Sequence, residues 1–204
     1  MDNAGTLAAA SGDEAYVPSP MGASWQKAMM WVFLIGDAIL FAGFLSGYGF
    51  LRVAAGSWPD QAEVFNMHLI GLMTFILITS SVTMACAVAA ARNGNTKHVV
   101  RFLYLTLLGG ALFLGMQAVE WSGLIHEGAR TASNPWGVPQ FGACFFLITG
   151  FHGTHVLIGL ILLLVTAIRC GKGINKPQAP ELVGLYWHFV DLVWVFIFSL
   201  FYLI

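Results

Sequence analysis

Five long apolar segments constrain the fold of this chain more than any other feature. They cover approximately residues 25–51, 64–91, 97–125, 140–169 and 181–204. A helix of about 20 apolar residues is long enough to cross a bilayer. Hydrocarbon offers no water to backbone groups, so spans of this length form helices, which satisfy those groups internally. We therefore predict an all-α integral membrane bundle of five transmembrane helices.

The composition supports a membrane location and argues against several other classes of protein. Hydrophobic residues make up 58% of the chain and charged residues only 9%, whereas soluble domains carry about 25% charged residues. The formal net charge is −1, which gives no indication of a nucleic-acid partner. Cys86, Cys144 and Cys170 are far apart and form no CxxC motif, so neither a disulfide framework nor a cysteine metal site is expected.

The N-terminal segment differs in composition from the rest of the chain. Residues 1–24 are polar and acidic, with no basic region before an apolar core. They do not resemble a cleaved signal peptide, and we predict a mobile polar tail followed by a transmembrane domain at 25–204.

Charge predicts the orientation in the membrane. Seven of the nine lysines and arginines fall on one side of the predicted spans, namely Lys27, Arg92, Lys97, Arg101, Arg169, Lys172 and Lys176. Only Arg52 and Arg130 fall on the other side. Because cytoplasmic loops carry the excess of positive charge, we expect a cytoplasmic N-terminus and an external C-terminus.

Six acidic or histidine side chains lie away from the ends of the apolar segments and are the candidate functional residues. They are Asp37, Glu120, His152, His155, His188 and Asp191. An acid at the bilayer centre costs about 2.5–3.5 kcal/mol on insertion scales, so these groups should face protein or trapped water. Asp37 fits either a proton-linked or lipid-contacting carboxylate or a protonated packing residue. For Glu120, which follows Gln117 by one turn, an interhelical hydrogen bond is the favoured interpretation.

The two central histidines allow a sharper alternative. His152 and His155 lie three residues apart in the fourth segment, each next to a glycine, and could ligate haem in a b-type membrane cytochrome. The other histidines lie near span ends or at a different depth, so interhelical hydrogen bonds are favoured over haem ligation. A small proton-coupled transporter using Asp37, His188 and Asp191 is a third interpretation.

Four sequence motifs match a known family. They are WVFLIGDAILF at 31–41, MQAVEW at 116–121, TGFHGTHVLIG at 149–159 and YWHFVDLVW at 186–194. In this order they resemble subunit III of the haem-copper respiratory oxidases, the cytochrome c and ubiquinol oxidases. The chain is similar to the five-helix bacterial form, since it lacks the first two helices of the seven-span members.

The resemblance implies a function that the residues alone do not. The chain would be the non-redox subunit of a proton-pumping terminal oxidase that reduces oxygen to water in aerobic respiration. It would carry no catalytic residue and no metal, with haem and copper in partner subunits. It would support assembly, lipid organisation and sustained proton uptake.

The resemblance also implies partners. The chain would contact subunit I directly, within a complex that includes subunit II and a small subunit IV. The complex would lie in the bacterial cytoplasmic (inner) membrane, with bound phospholipid. Asp37 and Trp187 are the candidates for contact with lipid.

Overall fold

The computed structural model describes residues 24–131, 133–174 and 178–203, and only Ser24 of the predicted tail at 1–24 lies among them. The helices are α1 (Trp25–Ala54), α2 (Gln61–Val64), α3 (Met67–Arg92), α4 (Thr96–His126), α5 (Pro139–Gly171) and α6 (Ala179–Ile197), followed by a π-helical segment (Phe198–Leu203). No strand occurs in these residues. Five helices are long and apolar enough to cross a membrane, which confirms the predicted all-α membrane fold.

Short polar side chains cap the starts of α3 and α4, and glycines follow the ends of α3 and α5. The Asn66 and Asn95 side chains accept hydrogen bonds from the backbone N–H groups of Leu69 and His98, at the starts of α3 and α4. These caps satisfy N–H groups that have no partner in the first turn. Gly94 and Gly173, just past the ends of α3 and α5, have φ values of 70° and 69°, where glycine is favoured.

The ends of two predicted segments differ from the structure. The predicted second segment began near residue 64, but the chain breaks at Phe65 and Asn66 and leaves α2 as a separate single turn. The capping side chain of Asn66 explains where α3 begins. At the C-terminus, α6 continues as the π-helical segment, and the combined span runs Ala179–Leu203.

The helices alternate in direction, which gives the bundle two distinct ends. The basic end contains the starts of α1, α4 and α6 and the ends of α3 and α5. It is held by Glu181 of α6, whose Oε1 lies 2.7 Å from Lys27 Nζ of α1 and 3.2 Å from Arg92 Nη2 of α3. The opposite end, here called the α2 end, contains α2, the loop between α4 and α5, and the π-helical segment.

Helix α6 lies at the centre of the packing. Helices α3, α4, α5 and α6 pack as a bundle, and α1 packs outside it against α5 and α6. Within its most apolar window, α6 is 50% buried and α1 only 11%. Helix α1 therefore presents most of its apolar surface to whatever surrounds the chain.

Trp187 of α6 fills the middle of this bundle. Its ring packs directly over Gly110 of α4 and Gly159 of α5, and its Nε1 donates to Ser80 Oγ of α3 at 3.1 Å. The side chain is only 1% exposed. This position argues against the lipid contact predicted for Trp187, because the indole has no surface left to offer a lipid.

We predict that Gly110→Ala destabilises the bundle. The added Cβ would overlap the Trp187 ring and lie 2.8 Å from Leu160 Cδ2, and overpacking of this kind costs about 1–3 kcal/mol. The free energy of unfolding in mixed detergent micelles measures the effect. Gly115→Ala is the matched control, since nothing lies within 4 Å of its Cβ position and alanine has the higher helix propensity. Equal stability of the two variants would contradict the packing described for Trp187.

Candidate functional site in the bundle interior

Asp37 of α1 and His155 of α5 form a buried pair. Asp37 Oδ2 lies 3.3 Å from His155 Nε2, and the two side chains are 9% and 11% exposed. The other ring nitrogen, Nδ1, lies 2.9 Å from the carbonyl oxygen of Phe151. A carbonyl only accepts, so Nδ1 carries a hydrogen. The Phe41 ring, 5.4 Å from the imidazole, covers the pair.

The Asp37–His155 pair needs one proton, although Asp37 Oδ2 forms no hydrogen bond with a described residue. With a hydrogen on Nδ1, a neutral imidazole presents a lone pair at Nε2, and an ionised carboxylate also only accepts. Two acceptors facing each other in a dry interior would repel, so a proton must lie on one of them. The pair is then neutral overall, either as acid and imidazole or as carboxylate and imidazolium. Pairing lowers the cost of burying both groups.

His188 of α6 reaches α3 rather than pairing only with Asp191. His188 Nδ1 lies 2.6 Å from Ser81 Oγ, and the Asp191 side chain also interacts with Ser81. Asp191 Oδ1 is enclosed and has no hydrogen-bond partner among the described residues. The serine therefore interacts with both His188 and Asp191 and ties α6 to α3.

His152 is fully buried and ties α5 to α6. Its Nε2 lies 3.1 Å from the carbonyl oxygen of Val190, and the side chain is 0% exposed. The rings of Phe113 and Trp194 lie 5.8 Å and 5.1 Å from the imidazole. This setting does not fit a haem ligand, because Nε2 is already bonded and aromatic rings occupy the space a porphyrin would need.

Glu120 lies near the α2 end and is held from two elements. Its Oε2 accepts from Gln117 Nε2 at 2.9 Å, within α4, and from the Tyr202 hydroxyl at 3.4 Å, on the π-helical segment. The hydrogen bond predicted to link Glu120 to another element therefore comes from Tyr202. Gln117, one turn away, stays on the same helix.

Two further donors were not predicted. The Tyr186 hydroxyl donates to the carbonyl oxygen of His155 at 3.0 Å, and Trp194 Nε1 donates to Thr74 Oγ1 at 3.0 Å. Both aromatic residues belong to the YWHFVDLVW motif, which also contains His188 and Asp191. The sequence does contain a signal for these two hydrogen bonds, because buried tyrosine and tryptophan usually find partners for their polar atoms.

The arrangement is chemically suited to joining helices. Among the described residues, no group of three or more histidines, cysteines, aspartates and glutamates could hold a metal ion. Asp37 is paired with His155, whereas His188 and Asp191 interact with Ser81. In the part of the chain that the structure describes, no hydrogen bond or ion pair joins Asp37 to either of them. The three residues of the transporter hypothesis therefore form two separate groups.

Comparisons with known proteins agree with this architecture. The family model described as cytochrome c oxidase subunit III matches residues 22–204. A cytochrome c oxidase subunit 3 from Bacillus sp. (strain PS3) is 36% identical over 176 residues, which are 85% of this chain and 83% of the relative. A quinol oxidase subunit 3 from Bacillus spizizenii is 39% identical over 178 residues, covering 85% and 84%. A cytochrome c oxidase subunit 3 from Corynebacterium diphtheriae is 38% identical over 179 residues, covering 85% of each.

We predict that the Asp37–His155 pair shows energetic coupling. Asp37→Leu and His155→Leu each leave one buried polar group without its partner, which costs about 1–3 kcal/mol. The double variant removes both groups, so it should cost clearly less than the sum of the single changes. The free energy of unfolding in mixed micelles measures all three variants.

Thr154→Val is the control for this cycle. Thr154 is exposed on α5, and its hydroxyl donates only to the carbonyl oxygen of Gly150, so its replacement should change stability little. Additive costs for Asp37→Leu and His155→Leu would show that the two side chains do not interact.

Proposed function

Because the chain belongs to the cytochrome c oxidase subunit III family, and is thus subunit III of a bacterial terminal oxidase, we propose that it is the non-redox subunit of that complex. It packs directly against subunit I, alongside subunit II and a small subunit IV. Haem and copper belong to those partners, which carry out the reduction of oxygen to water. This chain supports assembly, organises lipid and sustains proton uptake by the catalytic subunit.

One observation carries this proposal above the others. Several buried polar groups of the bundle are engaged with one another across helices, as in the pairs Asp37–His155 and His188–Ser81. Interhelical bonds of this kind hold a membrane bundle together. They suit a chain whose task is to present a rigid surface to other subunits.

The least buried helix supports the roles in lipid organisation and proton uptake. Helix α1 packs on the bundle from outside, and it carries Asp37, whose pairing with His155 keeps a proton at mid-membrane depth. An apolar helix exposed along most of its length needs lipid or another subunit to cover it. We therefore assign lipid contact to α1, while Trp187 lies inside the bundle.

The orientation belongs to the same proposal. The basic end carries Arg92 and Lys97 at one helix junction and Arg169 and Lys172 at another. Positive residues of short loops favour the cytoplasmic side. The basic end would then face the cytoplasm of the bacterial inner membrane, and the α2 end would face outward.

The cytochrome and transporter alternatives receive no support from the family match, and the geometry favours neither. The haem hypothesis needs His152 and His155 as ligands. However, His152 Nε2 bonds to the Val190 carbonyl, and His155 Nε2 faces Asp37. The acids and histidines that the transporter hypothesis needs lie in two separate groups.

We predict that removing this subunit shortens the working life of the oxidase without removing its redox centres. The complex purified from a strain lacking the chain should keep its haem and copper spectra and its initial rate. Its activity should then decline during sustained turnover, because proton uptake no longer keeps pace with oxygen reduction. Oxygen consumption over many turnovers measures this.

Re-expression of the wild-type chain in the deletion strain is the control and should restore sustained activity. Sustained activity that is unchanged without the chain would overturn the proton-uptake role. A b-type haem spectrum in the isolated chain would overturn the assignment as a non-redox subunit.

A further inference from the structure

His152 contains a buried nitrogen that lacks a partner. Its Nε2 faces the carbonyl oxygen of Val190 and therefore carries a hydrogen, which leaves Nδ1 of the neutral ring as an acceptor. Nδ1 is enclosed, and no described residue bonds to it. The nearest aromatic donor, Trp194 Nε1, is already bonded to Thr74. An acceptor buried without a partner costs about 1–3 kcal/mol, so this position calls for a donor.

Among the described residues, two of the other enclosed polar atoms without a hydrogen-bond partner, Asp37 Oδ2 and Asp191 Oδ1, lie near mid-depth, and the remaining five lie toward the α2 end of the bundle. These five are Trp58 Nε1, Gln61 Nε2, Gln117 Oε1, Glu120 Oε1 and Trp121 Nε1. Glu120 lies six residues before the end of α4, about 9 Å from the α2 end at 1.5 Å per residue. His152 lies 13 residues into α5, about 20 Å from that end.

Side-chain contacts connect His152 to this group. The His152 ring contacts Phe113 of α4, and Gln117 follows Phe113 by one helical turn. Gln117 in turn donates to Glu120, which also accepts from Tyr202. Tyr202 also lies near His152, because its ring is 6.0 Å from that of Trp194, and Trp194 lies beside the imidazole.

The chemistry of these atoms identifies the ligand. The indole and amide N–H groups need an acceptor, whereas the carboxyl oxygen, the amide oxygen and the imidazole nitrogen need a donor. A cation would satisfy only the oxygens and the ring nitrogen, and an anion only the N–H groups. A side chain of another subunit cannot reach atoms that this chain already encloses. Water both donates and accepts, and buried water usually bonds to polar groups of this kind.

We propose that water molecules are bound inside the α2 end of the bundle, beside Gln117 and Glu120 and as far as Nδ1 of His152. The water nearest His152 donates to Nδ1. The bundle is thus hydrated on this side to mid-membrane depth. This site concerns the interior of the chain itself and does not depend on the role in proton uptake.

Two tryptophans provide a matched test. Trp194 and Trp187 are 0% and 1% exposed, and each donates its indole N–H to a hydroxyl on α3. Trp194 lies beside His152, whereas Trp187 packs over Gly110 and Gly159. X-ray irradiation generates hydroxyl radicals from bound water, and these oxidise the side chains next to it. In the full-length chain in lipid nanodiscs, Trp194 should be oxidised several-fold faster than Trp187, as quantified by mass spectrometry.

A variant links this oxidation to the proposed site. Gln117→Leu removes one partner of the water and should bring the oxidation of Trp194 down toward that of Trp187. Thr149→Val is the control, because the buried Thr149 hydroxyl donates to the carbonyl oxygen of Phe145 on its own helix, and the fast oxidation of Trp194 should persist. Equal oxidation of the two tryptophans in the wild-type chain would overturn the proposal. A high-resolution map with a protein or lipid group bonded to His152 Nδ1 would also overturn it.

Discussion

Hydrocarbon cannot satisfy a polar side chain, and the packing of this bundle depends on that constraint. Helix α6 takes part in most of the interhelical hydrogen bonds that satisfy these polar groups. It bonds α3 through His188 and Trp194, and it bonds α5 through the Val190 carbonyl and the Tyr186 hydroxyl. Lipid covers apolar surface as well as protein does, so hydrogen bonds and close packing, rather than apolar burial, decide which helices become neighbours. A helix with polar groups on several faces therefore takes the centre.

Close packing and hydrogen bonding act together at this centre. Trp187 reaches Ser80 only because Gly110 and Gly159 leave space for its ring. The glycines on α4 and α5 and the serine on α3 thus form one arrangement around a single side chain of α6. Helix α1 takes no part in it and is held instead by the Asp37–His155 pair at mid-depth and by Lys27 and Glu181 at the basic end. Two polar contacts at different depths fix the position of a helix that buries little of its own surface.

The five spans were predictable from the sequence because their apolar length is a local property. The polar residues of the interior were predictable for the same reason, since an acid or histidine in an apolar run stands out. Their partners were not, because these depend on how each helix is rotated about its axis. The spacing of His188 and Asp191 allows a direct pair or separate contacts with another helix, and both side chains reach Ser81 on α3. The sequence does not identify Tyr202 as the partner of Glu120, because a tyrosine near the end of an apolar span is also typical of the membrane interface.

The two sets of buried polar groups indicate a division of the bundle by depth. Toward mid-membrane, Asp37 and His155 form a close pair that needs only one proton, although Asp37 Oδ2 and Asp191 Oδ1 have no hydrogen bond among the described residues. Toward the α2 end, His152, Gln117 and Glu120 each retain an enclosed atom without a partner. A bundle that only had to stay together could have replaced these groups with apolar ones at little cost. Their presence is better explained if this end of the subunit is hydrated inside, with a dry, proton-holding contact between α1 and α5 at the depth where the water stops.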